Sequence, residues 1–256
     1  MAYINGKEIL FSPTVDIEGS YSEGKQAEHK AFWDSACPNP NIYSGNYKFA
    51  GTSWTDTTFK PNISLIIYNA ASMFNMCNIT DLAGILDRQG LVFDFSPCTN
   101  FSNTFAYAKL TTIPVLDTTG CSVLSGIFYD SRAIHTIEKL ILKSDGSQTF
   151  SNLFYNCQAL VNIVIEGVIG QSGFNMQWST KLSKASIESI INALDDETKI
   201  DANGNPLSRS ITLSREAVQR EFREVNFETG EAIAGDESGE WNWLIGTVSG
   251  WTIVLA

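Results

Sequence analysis

The chain has 256 residues, of which 43% are hydrophobic and 18% charged, and its formal net charge is −11. The apolar fraction is high enough for a packed core, which argues against global disorder. The acidic balance argues against binding of nucleic acid, because such binding needs a basic surface. No apolar run approaches the roughly 18 residues of a membrane span, so we expect no membrane insertion. The first residues lack the basic and apolar segments of a classical secretory signal peptide.

The first 60 residues predict an N-terminal cap with one helix. Its opening, YINGKEILFS, has the composition of strands, and Asn5-Gly6 is a turn signal within it. SEGKQAEHKAFWDSA predicts a helix with Ser22 as N-cap, ended by Pro38 and Pro40.

A pattern recurs four times in the middle of the chain, anchored on Phe74, Phe105, Phe128 and Phe154. The anchors are 31, 23 and 26 residues apart. The residues four before them are Ala70, Phe101, Leu124 and Phe150, and those seven before are Ile67, Cys98, Cys121 and Ser147. Repeats of about 20–29 residues are typical of leucine-rich repeats.

The pattern predicts that residues 61–174 form a leucine-rich-repeat-like solenoid of stacked parallel β-strands. Residues 113–116, 137–142 and 163–166 carry apolar runs of strand type, with one face turned inward. A single turn cannot bury that face alone, so the turns stack. The anchor phenylalanines then form a column in the opposite wall. The fold class is therefore an α/β repeat with N- and C-terminal caps.

The chain has five cysteines, an odd number that cannot all pair in disulfides, and they include no CxxC motif. It has only two histidines. This argues against a zinc site and favours buried free thiols. Cys98 and Cys121 hold equivalent places and are expected to be neighbours. A disulfide between them is left open. We favour instead a thiol ladder, in which small side chains at equivalent places, Cys98, Cys121 and then Ser147, point inward without bonding to each other.

Residues 175–256 predict a C-terminal α/β cap. LSKASIESIINALDD places Ile187, Ile190, Ile191 and Leu194 on one helical face, capped by Ser183 or Ser186. RSITLS predicts a strand, SREAVQREFRE a helix with Ser214 as N-cap and with Val218 and Phe222 turned inward, and WTIVLA a final strand. DANGNPL predicts a turn, and FETGEAIAGDESGE a mobile acidic loop.

No motif for catalysis, cofactors or metals is evident: GxSxG, GxxxxGK[ST] and GxGxxG are all absent. His135 has no partner that the sequence reveals. Asp94 and Asp117 hold equivalent places and could act as a carboxylate pair on glycans. A simpler interpretation is that each accepts backbone N–H bonds in a turn at a strand end. We therefore predict no catalytic residue, no metal and no cofactor.

Tyrosines near the anchors form the candidate binding site. Tyr107, Tyr129 and Tyr155 follow their anchors by one or two residues and should lie along one outer ridge. With Asn103, Asn152 and Asn156 they would combine aromatic faces and adaptable amides. The alternative is that they are single exposed tyrosines without a role. The six tryptophans lie outside the pattern, where we expect most of them to plug the solenoid ends.

Several segments resemble a known family. FYNCQALVNI follows F-x-N-C-x-x-L-x-x-I and resembles the BspA-like leucine-rich repeats of bacterial surface proteins. The flanks resemble uncharacterised repeat proteins of gut Firmicutes and their phages, from about residue 20 to the end: KQAEHKAFWD, FAGTSWTDTTFKP, MFNMCNITDLAGIL, LSKASIESIINAL, ITLSREAV and GWTIVLA. MAYINGKEILFS resembles the starts of small genes in phage tail regions.

The resemblance implies non-enzymatic recognition and adhesion. It favours a phage or prophage tail-associated protein that binds a surface glycan or protein of a host bacterium. Such a protein would be found in the virion or on an extracellular surface, and in the cytoplasm during synthesis. A bacterial surface or secreted adhesin is the alternative, and a polysaccharide depolymerase a weaker one. A homo-oligomer is left open, because no heptad pattern is long enough to predict it.

Overall fold

The computed structural model describes residues 2–4, 7–9, 65–84, 93–196, 200, 203–204, 206–222 and 239–256. The helix predicted after Ser22, most of the predicted N-terminal cap, Cys37 and most of the predicted acidic loop lie outside these ranges. The described part has mixed α/β content, with parallel strands in several small sheets. None of its helices is long and apolar enough to cross a membrane. The division into 1–60, 61–174 and 175–256 stays a prediction.

The strands are short, and the helices lie late in the chain. The first strands are β1 Ala2–Ile4, β2 Lys7–Ile9, β3 Leu65–Ile66, β4 Phe93–Asp94, β5 Thr112–Ile113, β6 Leu116–Asp117 and β7 Val123–Ser125. There follow β8 Thr136–Ile141, β9 Thr149–Ser151, β10 Asn162–Glu166 and β11 Asn175–Met176. The last elements are α1 Lys184–Asn192, β12 Arg209–Leu213, α2 Arg215–Phe222, α3 Glu240–Gly246 and β13 Trp251–Leu255.

The hairpin at the start of the chain agrees with the turn signal there. β1 and β2 pair antiparallel, with Ile4 opposite Lys7, so two residues connect them. In the sequence these two residues are Asn5-Gly6, the pair that a tight hairpin turn favours.

A parallel sheet joins the three predicted strand regions. β5 and β6 both pair with β8, which pairs with β10. Thr136 is the common partner of Thr112 and Asn162, so the strands align in register. The expected inward residues are buried, although they lie two or three residues apart and the pairing of β10 with β8 is irregular between Ile163 and Ile165. They are Leu110, Ile113, Leu116, Ile137, Leu140, Ile163 and Ile165.

The four anchor phenylalanines form a continuous column, as their spacing predicts. Phe74 stacks on Phe105 with ring centroids 5.5 Å apart. Phe105 stacks on Phe128 at 5.8 Å, and Phe128 on Phe154 at 5.4 Å. All four side chains are fully buried. Phe174 continues the column with an edge contact to Phe154 at 5.4 Å.

The backbone around the column alternates between two kinds of hydrogen bond. Phe105 N–H donates to Ile127 O in the next segment at 2.8 Å, whereas Ala106 N–H donates to Asn103 O within its own turn at 3.2 Å. The segments around Phe74 and Phe128 repeat this alternation. Buried backbone groups need partners, and this pattern supplies them without a regular strand.

Helix α1 ends the parallel sheet. The hydroxyls of Ser186 and Ser189 accept the N–H groups of Ile163 and Ile165 at 2.9 and 2.8 Å. These serines thus occupy the β10 edge, where a further strand would otherwise pair. Of the two candidate N-caps, Ser183 is the one used: its side chain accepts the Ser186 N–H. Ile187, Ile190, Ile191 and Leu194 are buried as predicted.

The C-terminal strands and helices agree with their sequence patterns. β12 pairs parallel with both β11 and β13. Ser214 accepts the Ala217 N–H at the start of α2, and Val218 and Phe222 are buried. Helix α3 was not predicted. It packs Trp241 against Phe222 at a centroid distance of 5.1 Å.

Within the described chain, Cys77, Cys98, Cys121 and Cys157 are buried and form no disulfide bond. The favoured thiol ladder is thus present at Cys98 and Cys121, and the disulfide is not. The prediction that Ser147 continues the ladder is wrong, since Ser147 is exposed. Gln148 is buried instead, and its amide donates to Thr118 O at 2.8 Å and to Cys121 O at 3.1 Å.

Truncating the column should destabilise the protein far more than truncating its surface. Phe128→Ala is expected to lower the free energy of unfolding by about 3–5 kcal/mol, because it leaves a cavity between two stacked rings. Denaturant unfolding followed by circular dichroism measures this. Val115→Ala, at a half-exposed position, is the control and should cost no more than about 0.5 kcal/mol. Equal costs for the two variants would contradict the column's role.

Candidate functional site

Four aromatic side chains form a row of successive contacts on the surface, which we call the aromatic row: Tyr107, Tyr129, Tyr155 and Trp178. Ring centroids are 5.6 Å apart between Tyr107 and Tyr129, and 4.7 Å apart between Tyr129 and Tyr155, whose rings are stacked. Tyr155 meets the edge of Trp178 at 5.8 Å. The predicted tyrosine ridge is therefore present, and it is one ring longer than expected.

The aromatic row is held by the same segments that carry the buried column. Tyr107 N–H donates to Tyr129 O at 2.9 Å, and Asp130 N–H donates to Tyr155 O at 2.7 Å. The anchor phenylalanines lie one or two residues away on the buried side. The backbone of each tyrosine is therefore held next to a buried ring.

The row is accessible to solvent. Tyr107, Tyr155 and Trp178 are 44%, 38% and 40% exposed. Tyr129 lies between its neighbours and is half-buried. Loss of solvent raises the pKa of the Tyr129 hydroxyl, and repulsion from Tyr107, Tyr155 and Asp130 raises it further. The hydroxyl therefore stays neutral at physiological pH and can both donate and accept hydrogen bonds.

Asn103 and Asn152 have a backbone role that the sequence reasoning missed. Their φ angles are +54° and +50°, and Ser72 and Gly126 have positive φ at the equivalent places. Asparagine and glycine tolerate this left-handed conformation better than other residues. The recurrence of Asn or Gly two residues before the anchors was the sequence signal for this left-handed conformation. Both asparagine side chains are nevertheless exposed.

Asn156 is less available to a ligand than the other two asparagines. Its amide nitrogen donates to Asp130 Oδ1, and its amide oxygen accepts from Gln158 Nε2 at 2.6 Å. Both ends of this amide are therefore occupied by neighbouring side chains. Its backbone is also left-handed, with φ of +59°.

A pocket of about 370 Å³ opens at the Trp178 end of the row. Aromatic and amide side chains line it, among them Phe150, Asn152, Tyr155, Asn175, Gln177 and Trp178. Among the described residues that line it, none carries a charged side chain. Small-molecule sites usually fall between about 300 and 1,000 Å³, so the pocket is near the lower end of that range.

Asp94 and Asp117 make the turn contacts that the simpler interpretation predicted. Asp94 Oδ1 accepts the Ser96 N–H at 2.9 Å. Asp117 Oδ1 accepts the Thr119 N–H at 2.9 Å and its hydroxyl at 2.6 Å. The same two-residue contact recurs at Asn69, Asn100, Asp145 and Asn175. Asparagine makes this contact at other turns, so the contact is a property of turns and does not require a negative charge.

Other candidate groups add no second site. His135 is exposed, and its ring Nδ1 lies 3.2 Å from Thr136 Oγ1. Across the described ranges, no three histidine, cysteine or acidic side chains come close enough together to hold a metal ion.

The four described tryptophans differ in burial, and the role of most tryptophans as end plugs stays a prediction. Trp241 is buried, but Trp243 is 69% exposed on α3, and Trp178 extends the aromatic row. Trp251 is half-buried, with the Arg209 guanidinium 4.6 Å from its ring centroid. Trp33 and Trp54 lie outside the described residues.

No protein-family model, curated protein sequence or solved structure matches the chain significantly.

The backbone role of Asn103 can be separated from any role of its side chain. Asn103→Gly should keep the free energy of unfolding within about 0.5 kcal/mol, whereas Asn103→Ala should lower it by about 1 kcal/mol, because only alanine is strained at positive φ. Urea unfolding of both variants measures this. Equal losses would show that the side chain, and not the backbone, stabilises the turn.

The buried thiols should be unreactive in the folded protein. Burial raises the pKa of Cys157 from 9.0 to about 12, and burial together with nearby Cys98 raises that of Cys121 to about 12. Reaction needs the thiolate, so iodoacetamide at pH 8 should label these residues only after unfolding in urea, as mapped by peptide mass spectrometry. Rapid labelling of Cys157 in the native protein would contradict this.

The same raised pKa values have a consequence for stability. Above pH 9 the unfolded chain loses these thiol protons before the folded chain does. These pKa differences therefore stabilise the folded state fully below pH 9. Their contribution to the free energy of unfolding is lost as the pH rises toward 12.

Proposed function

We propose that the parallel strands and stacked segments form a leucine-rich-repeat-like solenoid. The repeated spacing of the anchors supports this, together with the continuous phenylalanine column and the register shared by Thr112, Thr136 and Asn162. In such an architecture, equivalent residues of successive turns line one surface. A row of exposed side chains then becomes an extended binding surface.

We further propose that the protein is a non-enzymatic recognition protein that binds through the aromatic row. The observation that carries this proposal is the unbroken contact of Tyr107, Tyr129, Tyr155 and Trp178 along one surface. Aromatic rings left accessible in a contiguous patch are typical of interaction sites. Tyrosine in particular offers a large contact area with few rotatable bonds.

The proposed partner is a glycan or protein on the surface of a host bacterium. The sequence resemblance supports a phage or prophage tail-associated protein, in the virion or on an extracellular surface. A bacterial adhesin with the same architecture is the alternative. The turn contacts of Asp94 and Asp117 favour binding over glycan cleavage, because they assign both carboxylates a structural use.

Labelling of intact bacteria tests the proposal. Fluorescently labelled protein is expected to stain some strains of gut Firmicutes and not others. Tyr107→Ser combined with Tyr129→Ser should reduce staining about tenfold or more, because it removes two adjacent rings from the row. Flow cytometry measures the staining, and reducing ends are assayed in the supernatant.

A matched control variant is Trp243→Ser, which removes an exposed aromatic ring from α3 and should leave staining unchanged. Circular dichroism checks that all variants are folded. Unchanged staining by the tyrosine double variant would refute a role for the row. Release of reducing ends would instead support a depolymerase, and Asp94→Asn with Asp117→Asn would then show whether these carboxylates catalyse it.

A further inference from the structure

We propose that the pocket beside Trp178 holds a neutral saccharide unit of the recognised partner. This inference rests on the proposed recognition function and assigns it a ligand class. It starts from the position of the pocket, which continues the aromatic row: Tyr155 and Trp178 belong to both. A chain-like ligand lying along the row would therefore reach the pocket with one of its units.

The aromatic groups provide apolar surface for one face of a sugar ring. Tyr155 and Trp178 meet edge to face at 5.8 Å and are 38% and 40% exposed. Phe150, which is 8% exposed, adds a buried apolar wall. A sugar ring has a face of C–H groups that packs against such rings, while its hydroxyls point to the sides and need polar partners.

The amides supply those partners. Asn152 and Gln177 line the pocket, and within the described structure their side-chain amides make no hydrogen bond. Each amide can donate two hydrogen bonds and accept two, which matches hydroxyl groups that both donate and accept. Asn175 Oδ1 already accepts the Gln177 N–H at 2.9 Å, so the Asn175 amide nitrogen is held at a fixed position.

The absence of charge in the lining selects among ligands. An acidic saccharide or a phosphate would be expected to meet arginine or lysine, and neither contributes to this pocket. A wholly apolar anchor would bury the amides without hydrogen bonds, which costs free energy. Single-stranded nucleic acid can stack on aromatic rings, but it needs a basic groove, and the chain carries a net charge of −11. A neutral saccharide satisfies both the rings and the amides.

The test uses a strain that the full-length protein stains. Its surface polysaccharide is separated into a neutral and an acidic fraction, and each is titrated into ¹⁵N-labelled protein. The neutral fraction should shift the indole N–H signal of Trp178, which is assigned by its absence from Trp178→Ala. The acidic fraction should not shift it. Staining of the cells should survive protease and be lost after periodate oxidation.

Two variants keep the test independent of folding defects. Trp178→Ala and, separately, Gln177→Ala should each weaken binding of the neutral fraction about tenfold, a loss of the size that a central contact makes. Trp243→Ala is the control and should bind as the unmodified protein does. Gln177 has a half-buried side chain outside the hydrophobic core, so its replacement should not disturb the fold.

The outcomes separate this inference from the function on which it rests. If both pocket variants stain cells normally while the Tyr107 and Tyr129 double variant does not, the pocket proposal is wrong and the recognition proposal stands. Staining that is lost after protease would identify a protein partner and also overturn the saccharide assignment. If no strain is stained at all, both proposals fail.

Discussion

Stacking of one aromatic ring on the next is the interaction on which the described structure depends. Phe74, Phe105, Phe128 and Phe154 are each fully buried and lie 5.4–5.8 Å from their neighbours. Rings at this distance bury much apolar area and hold the separation of successive segments nearly constant. The parallel sheet of β5, β6, β8 and β10 brings together strands of the same successive segments. The tyrosines of the aromatic row lie one or two residues from rings of this column.

The turns around the column show how irregular backbone can be buried without losing hydrogen bonds. Alternate N–H groups bond within a turn and to the following segment. This alternation needs left-handed residues at fixed places, which explains asparagine at 103 and 152 and glycine at 126. At Gly126 the φ angle is +57°, a conformation that glycine adopts without strain. The proposed recognition residues and the turn residues thus lie close together in the same segments. Some polar residues near the row therefore stabilise turns and need have no role in binding.

Sequence patterns were sufficient for features that follow from regular spacing. The phenylalanine column, the inward leucine and isoleucine residues, the α1 face with Ile187 and the turn role of Asp117 all follow from periodicity or turn chemistry. The approximate alignment of Tyr107, Tyr129 and Tyr155 on one surface also follows from their spacing to the anchors. These features depend on where residues recur along the chain, and recurrence can be read directly.

Features that depend on three-dimensional detail could not be predicted in this way. Gln148, one residue from the expected Ser147, closes the thiol ladder because only its longer side chain reaches Thr118 O and Cys121 O. Ser186 was considered only as a helix cap, yet it and Ser189 bond the edge of β10. Trp178 lies outside the repeated pattern and reaches the aromatic row only through the geometry after Phe174. The pocket depends on that placement, so no spacing rule would have revealed it.

Hydrogen–deuterium exchange on the free protein tests most directly whether the row is displayed on a rigid stack. The account predicts that the amides of Phe105, Tyr107, Phe128 and Asp130, which bond to the next segment, exchange as slowly as those of β8 and β10, because opening them requires separating the stacked rings. Fast exchange at these four amides, with protection confined to the regular strands, would contradict it. The tyrosines would then lie on loops that move independently, and the row would not be a preformed surface.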